Sequence, residues 1–414
     1  MSEVVWLACG RCGRMCAPGP AFFGCPSCRQ GGEVSVLEVE YAPAARPGCP
    51  PFGDGERSSG IWSYAALLPV QDAASRVSIG EGHTPLLPSG KVGPRIGLSR
   101  LYYKNETANP TWSFKDRYAA VTVSMAKSLG FKRIIASSTG NHGTAVAAYA
   151  AAGGLTCVVL CSPGAPAVML EQMRAYAAVP IVITGGDRFS LVERLAVEHG
   201  WFPASLFLPT PVHNPYGIEG YKTLAYEIVR DLGACPAAVV FPCARGNGLY
   251  GAWKGFRDLR RLGLIDRLPR MIACQPLAAN TLERSLRAGH IVRIPAPRSI
   301  AASITEEIAA PQALEAIHTS GGDAIGVPDA EAVEMARQLA AEGLWVETSS
   351  ALAVAGLTTL RERRVLTPDD AIVVVLTGAG VKWTSNTAAM ADVPRIEGSA
   401  RQLEDCLARE GIAL

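Results

Sequence analysis

Residues 132–161 read KRIIASSTGNHGTAVAAYAAAGGLTCVVLC, and this stretch decides the fold class. A short apolar run, Lys132–Ser137, has the length and composition of a buried strand. Small residues and glycines follow it. Asn141–Ala152 then reads as a helix, and Leu155–Cys161 returns to a strand. The alternation continues outward. Ala167–Ala178 reads as a helix, Ile181–Thr184 as a strand and Asp187–Gly200 as a helix. Later, Ala237–Pro242, Arg270–Gln275 and Ala371–Thr377 read as buried strands, each followed by glycine or small residues and then by helix-like sequence. Short apolar strands alternating with helices predict parallel sheet covered on both faces. The expected class is therefore α/β, with doubly wound, parallel-rich domains. Such sheets hold ligands at the carboxyl ends of their strands, so chemistry is sought just after strands. No repeat of fixed period is present.

The chain has 414 residues, enough for two large domains or for one large domain and smaller ones. At 49% hydrophobic, it can bury a sizeable core. Lys+Arg total 39 and Asp+Glu 37, a formal net charge of +2. That balance gives no electrostatic case for a nucleic-acid or anionic-membrane partner. The opening Met-Ser-Glu-Val-Val-Trp has no basic region ahead of an apolar one, which argues against a secretory signal and for a cytoplasmic protein. Residues 143–170 carry no charged side chain, more than the roughly 18 residues that suggest a membrane span. Gly153-Gly154 and Ser162-Pro163-Gly164 break the run, so it reads as buried helix, buried strand and loop. Twelve cysteines in so long a chain do not resemble a secreted disulfide scaffold. Cys157, Cys161, Cys243 and Cys274 lie in apolar runs and read as buried free thiols.

Four other cysteines form a pattern. Cys9-Gly-Arg-Cys12 and Cys25-Pro-Ser-Cys28 are two Cys-x-x-Cys pairs twelve residues apart. Two such knuckles supply four thiolates, which suit tetrahedral Zn²⁺. A segment this short has no core of its own, so the metal would fold it. Four protein ligands close the coordination, which makes the site structural. Cys16 is a stray thiol beside it. Residues 42–60, rich in Pro, Gly and Ser, then read as a linker or irregular wrap.

Glu106-Thr-Ala-Asn-Pro-Thr-Trp-Ser-Phe-Lys-Asp-Arg117 carries the strongest chemical signal. Ser113 and Asp116 have capping-box spacing, which predicts a helix from there to about Leu129, stopped by Gly130. Lys115 then stands in the first turn. The helix dipole and desolvation both disfavour its ammonium form, and a lysine of lowered pKa suits Schiff-base chemistry. Two glycine-containing loops follow strands and open helices. Ser137-Ser-Thr-Gly-Asn-His-Gly143 can offer free amides to a carboxylate, and Ala244-Arg-Gly-Asn-Gly248 to a phosphate.

Together these residues resemble the threonine synthase family of fold type II pyridoxal-phosphate enzymes. The resemblance runs through the amino-terminal cysteines, Glu81-Gly-His-Thr-Pro-Leu86 and Asn109-Pro-Thr-Trp-Ser-Phe-Lys-Asp-Arg117. It continues through Ser138-Thr-Gly-Asn-His-Gly143, Asn214-Pro-Tyr-Gly-Ile-Glu-Gly-Tyr-Lys-Thr223 and Thr377-Gly-Ala-Gly-Val-Lys382. It implies a tryptophan-synthase-β-like fold, with pyridoxal 5′-phosphate on Lys115, which also moves the proton at Cα. It implies that Asn141 meets the cofactor's 3′-oxygen and that Thr377 faces the pyridine nitrogen. Ala244, Arg245, Gly246, Asn247 and Gly248 would hold the phosphate. Ser138, Thr139 and Gly140, with His142 beside them, would meet the substrate carboxylate. A homodimer is implied by the resemblance alone.

The implied domains are a ribbon at 1–40, a wrap at 41–80, a large domain at 81–117 and 226–400, a small inserted domain at 118–225 and a C-terminal helix at 401–414. Three positions depart from the family pattern. Trp112 stands where glycine is usual, as a packing aromatic or a pocket-reshaping one. Ala244-Arg245 replaces a Gly-Asn pair. A non-glycine at Ala244 requires negative φ, and Arg245 either contacts a phosphate or points to solvent. His142 replaces a threonine, as a structural histidine or a proton shuttle. Glu219, Lys222 and Thr223 share one face of an expected helix. Arg117, Lys222 and Arg245 are candidates for a second anion pocket. The expected reaction is threonine synthase-like, from O-phosphohomoserine to threonine and phosphate. Its alternatives are β-replacement or β-elimination on serine-like substrates, as in cysteate-synthase-like enzymes or dehydratases, and a non-enzymatic ribbon protein on a retired scaffold.

Overall fold

The computed structural model describes residues 5–41, 57–205, 214–386 and 400–409. Most of the expected linker, 42–56, lies outside the described residues, as do 1–4, 206–213, 387–399 and the end of the expected C-terminal helix, 410–414.

Thirteen strands build three sheets among the described residues. In chain order, β1 (Val5–Cys9), β2 (Met15–Cys16) and β3 (Leu37–Tyr41) form an antiparallel sheet of order β2-β1-β3. Next come β4 (Leu86–Pro88) and β5 (Leu101–Asn105), then β6 (Arg133–Ser137), β7 (Thr156–Cys161), β8 (Val179–Val182) and β9 (Phe202–Pro203). The last are β10 (Ala238–Pro242), β11 (Arg270–Pro276), β12 (Asp323–Val327) and β13 (Ile372–Leu376). Strands β6–β9 make a parallel four-stranded sheet of order β8-β7-β6-β9. The remaining six make a sheet of order β12-β11-β10-β13-β5-β4, parallel except for the edge strand β4. Every residue of β10 and β13 is buried, which accounts for their unbroken apolar sequence: both faces of the sheet are covered.

Two boundaries differ from the sequence reading. The helix expected to reach Ala178 ends at Ala175, and β8 starts at Val179 rather than Ile181. Ala177 turns the chain with a left-handed φ of 58°, and no glycine marks that turn. β8 is an edge strand whose side chains are largely exposed although its sequence, Val-Pro-Ile-Val, is wholly apolar. Glu219, Lys222 and Thr223 do not share one helix. Pro215–Gly220 and Lys222–Leu232 are separate helices that meet at Tyr221.

Two buried ion networks tie these layers together. Arg117, fully buried, places Nε 2.7 Å from Glu106 Oε2 and Nη1 2.6 Å from Glu227 Oε1. Lys104 of β5 reaches Glu227 Oε2 at 2.8 Å. The other network joins the amino-terminal sheet to the body. Glu219 accepts from Tyr41 Oη at 2.7 Å, from Lys254 Nζ at 2.6 Å and from Lys222 Nζ at 3.0 Å. Lys254 also donates to the Val39 carbonyl at 3.1 Å. Arg117 and Lys222 are thus consumed as structural cations, and neither lines the main cavity. Both therefore leave the candidate anion pocket, and the pair Glu219–Lys222 is buried rather than exposed. Breaking such pairs by removing one partner costs about 3–5 kcal/mol.

Candidate active site

The helix Lys115–Ser128 starts differently from the capping box read in the sequence. Phe114 is its N-cap residue, and no side chain caps it. Ser113 Oγ is buried without a partner. Asp116 turns back to Thr111, accepting from its amide at 2.7 Å and from its hydroxyl. The missing cap leaves the amino end of the helix polar and unfilled, with Lys115 in its first turn. At the far end Gly130 takes φ 82°, after the helix has stopped at Ser128.

Lys115 opens into a cavity of about 390 Å³, within the usual size range of small-ligand sites. Its walls are the segments after β6 and β10, as expected for ligands at strand carboxyl ends. Lys115, Ser138, Thr139, Gly140, Asn141 and His142 line it, together with all of 244–248 and Thr377. Burial lowers the Lys115 amine from 10.5 to about 8, against the opposing pull of Glu347, Glu306 and Cys243. The amine lies 4.4 Å from the centre of the Phe114 ring, and Phe114 stacks on Tyr221 at 5.0 Å.

The loop after β6 is braced from within. Ser138 Oγ accepts from the Gly143 amide at 2.9 Å and from the Gly140 amide at 3.3 Å. Thr139 Oγ1 sits 2.8 Å from Ser162 Oγ and accepts from Arg188 Nη1 at 3.2 Å. Gly140 precedes the helix Asn141–Gly153 without a side-chain cap, and a Cβ there would lie 3.2 Å from Trp383. His142 Nε2 is 3.0 Å from Ser205 Oγ, and its ring sits edge-on to Tyr118. Burial and the Lys115 charge lower its titration to about 3. That shift and the hydrogen bond to Ser205 favour a neutral, structural ring over a proton shuttle, which would need a pKa near 7.

The second loop forms a cradle. Gly246 takes φ 95°, and a Cβ there would fall 2.3 Å from Ala313 Cβ. A Cβ at Gly248 would fall 2.6 Å from the Phe114 ring. Ala244 is not among the residues other than glycine with positive φ, so it meets the requirement stated above. The helix Asn247–Arg261 begins here without a side-chain cap, which leaves first-turn amides for an anion. Arg245 lines the cavity rather than solvent. It pairs with Glu306 at 3.2 Å, and its Nη1 is buried without a partner.

Trp112, at the family's glycine position, takes φ 63°, the left-handed region that glycine favours. Its side chain is 42% exposed and is not among the cavity's lining residues. It therefore neither fills the core nor reshapes the pocket.

Sequence reading missed Glu347, Arg188 and Glu306, all of which line the cavity. Glu347 and Arg188 each stand at the start of a helix, the one signal that could have drawn attention to them. Four buried polar atoms of cavity-lining residues have no partner: Ser137 Oγ, Asn141 Oδ1, Arg245 Nη1 and Trp383 Nε1. Orphans of this kind are rare without a ligand to satisfy them. With a poised amine and an anion cradle, they fit a phosphorylated, hydrogen-bonding cofactor.

At the amino terminus, the Sγ atoms of Cys9, Cys12, Cys25 and Cys28 lie within 4.8 Å of one another. Cys157, Cys161, Cys243 and Cys274 are buried free thiols. No helix among the described residues is long and apolar enough to cross a membrane.

Residues 77–378 match the family model of pyridoxal-phosphate-dependent enzymes. The chain belongs to that family, and the fold and site define it as a pyridoxal-phosphate-dependent lyase of fold type II. Its sequence relatives narrow the family. It is 38% identical to the threonine synthase of Methanocaldococcus jannaschii, over 79% of this chain and 82% of that one. It is 37% identical to that of Synechocystis, over 82% and 87%. Within the larger family the chain thus stands among the threonine synthases. Two solved structures match it in fold. A fungal L-serine ammonia-lyase from Rhizomucor miehei has TM-score 0.62 and 21% identity, over 73% of this chain and 97% of the other. A threonine deaminase isoform from Solanum lycopersicum has TM-score 0.64 and 22% identity, over 84% and 99%.

Proposed function

We propose that the protein converts an amino acid with a phosphorylated side chain, O-phosphohomoserine, and water into threonine and phosphate. The observation that carries this reading is Arg188. It brings a guanidinium into the cavity and onto Thr139, in the loop assigned to the substrate carboxylate. An amino acid bearing a second, phosphate anion needs such a cation. A plain serine or threonine does not.

The residues divide the work as follows. Lys115 would hold the cofactor covalently and, once released as a free amine titrating near 8, would exchange a proton with Cα close to neutral pH. Asn141 would meet the cofactor's 3′-oxygen, and Thr377 would face the ring nitrogen. The amides of Ala244, Arg245, Gly246, Asn247 and Gly248 would receive its phosphate. Ser138, Thr139 and Gly140 orient the substrate carboxylate, and neutral His142 holds Ser205 beside them. The bound cofactor supplies the electron sink that makes Cα acidic. The chain supplies position and proton transfer, and must admit the one water whose oxygen becomes the threonine hydroxyl after phosphate leaves.

The chain then divides into a ribbon at 1–40, a wrap at 41–80, a large domain at 81–117 and 226–400, an inserted small domain at 118–225 and a C-terminal segment at 401–414, helical over its described part. Four cysteine sulfurs within 4.8 Å are a donor set for Zn²⁺, and we take the metal as structural. A cytoplasmic homodimer is the assembly that the family resemblance suggests.

The test is a substrate panel of O-phosphohomoserine, O-phosphoserine, serine and threonine, with products identified by mass. Threonine formed from O-phosphohomoserine supports the proposal, provided Arg188→Leu raises KM for it at least about tenfold. Turnover of serine or threonine, with O-phosphohomoserine inert, assigns the protein to β-elimination or β-replacement instead.

A further inference from the structure

Glu347 belongs to no motif in the sequence, yet its carboxyl joins two residues that the proposed function places on the cofactor. It is 3% exposed. Its amide donates to the Gly378 carbonyl at 3.0 Å, and Val346 bridges to Ala379. These contacts fix it beside the segment that follows β13. From there Oε2 accepts from Asn141 Nδ2 at 3.0 Å, and Oε1 lies 3.5 Å from Thr377 Oγ1. Ser350 Oγ is 3.0 Å from the same threonine hydroxyl. A Cβ at Gly378 would stand 2.8 Å from the Glu347 carboxyl carbon and 3.0 Å from Asn141 Nδ2. Glycine at 378 is what leaves room for the pair.

The chemistry of the two groups gives the contact a direction. A side-chain amide can present either oxygen or nitrogen, whereas an ionised carboxylate only accepts. Glu347 therefore turns the Asn141 nitrogen toward itself and leaves Oδ1 buried without a protein partner. A buried carboxyl also needs nearby cations. Burial raises its titration on balance, while the Asn141 hydrogen bond and the charges of Lys382 and Lys115 pull it back toward the ionised form. Lys382 is held by the Thr111 carbonyl at 2.7 Å and Thr144 Oγ1 at 2.8 Å, and Asp116 is the other acid that acts on it.

We propose that Glu347 is a positioning residue for the cofactor: one carboxyl orients Asn141 and Thr377 together and sets the charge they present to the ring. This inference rests on the reading of Asn141 and Thr377 as cofactor-facing. Glu347→Gln retains hydrogen bonds to both neighbours but removes the charge. Glu347→Ala removes both.

The experiment measures the affinity of apo protein for pyridoxal phosphate and the pH midpoint of the bound cofactor's absorption band. Glu347→Gln should bind within about threefold of wild type, with its midpoint lowered by about one unit, because a nearby negative charge that favours protonation is gone. Glu347→Ala should bind about tenfold more weakly or worse. An unmoved midpoint in Glu347→Gln overturns the proposal, and that variant decides the matter if Glu347→Ala does not fold. Asn141→Ala separates the two levels. If it leaves cofactor affinity unchanged, the underlying site reading fails. If it weakens binding while both Glu347 variants behave as wild type, only the positioning role fails.

Discussion

The amine of Lys115 should set the pH at which the protein takes up its cofactor. Burial lowers it to about 8, and the acids at Glu347 and Glu306 only partly offset that. At pH 7 an amine titrating at 8 is about 9% free base, and one at 10.5 is about 0.03% free base, a ratio of about 300. Only the free base attacks an aldehyde. The rate at which apo protein captures pyridoxal phosphate should therefore rise with pH, bend near 8 and become flat above it. Stopped-flow absorbance from about pH 6 to 10 records this directly, with Lys115→Ala as the trace that shows no capture. A rate still climbing tenfold per unit above about pH 9 would refute burial as the cause. The stability sign follows from the same shift. A lysine depressed in the folded state penalises folding fully below about 8, and the penalty fades as pH rises from there to 10.5. Lys115→Met should remove that slope.

Three further outcomes are expected. Gly246→Ala places a Cβ at φ 95° and 2.3 Å from Ala313, so it should lose at least about 2 kcal/mol of stability. Equilibrium dialysis should also show at least tenfold weaker cofactor binding, as about 1.4 kcal/mol lost at the cradle would give. Arg117→Ala strands Glu106 and Glu227 without their shared cation and should cost about 3–5 kcal/mol, read as a lower urea midpoint. A strong chelator should strip one Zn²⁺ per chain by elemental analysis and make 5–41 the first segment cut by protease, while the β6–β9 region keeps its resistance.

The parts of the fold that could be read in the sequence are those where burial is symmetric. β6, β7, β10, β11 and β13 lie within a residue of their expected limits, because strands covered on both faces are continuous apolar runs. Edge strand β8 is exposed, and the apolar run it belongs to, residues 177–183, extends past both of its ends and so did not mark its start. The loops after β6 and β10 were legible because glycine has few reasons to follow a strand except a close approach, and Gly246 has one. The capping box failed because Asp116 had a better partner in Thr111. Arg117 and Lys222 were misread because sequence gives charge but not burial. Glu347 was missed because it meets Asn141 across 206 positions of chain, a distance no local pattern spans.

The position of β13 bears on the order in which the molecule is completed. It lies between β10 and β5, and it alone joins the early strands β4 and β5 to the late ones. A chain emerging from the ribosome can finish the sheet of residues 133–203 from contiguous sequence. The six-stranded sheet must wait, with the edges of β5 and β10 unpaired, until residues 372–376 arrive. Long-range pairing of this kind is slow and leaves edges open to wrong partners. Thr377 and Gly378 follow directly after that strand, so the catalytic cavity is closed about 260 residues after Lys115 has been made, and a nascent chain cut short before β13 would carry its lysine without a place to use it.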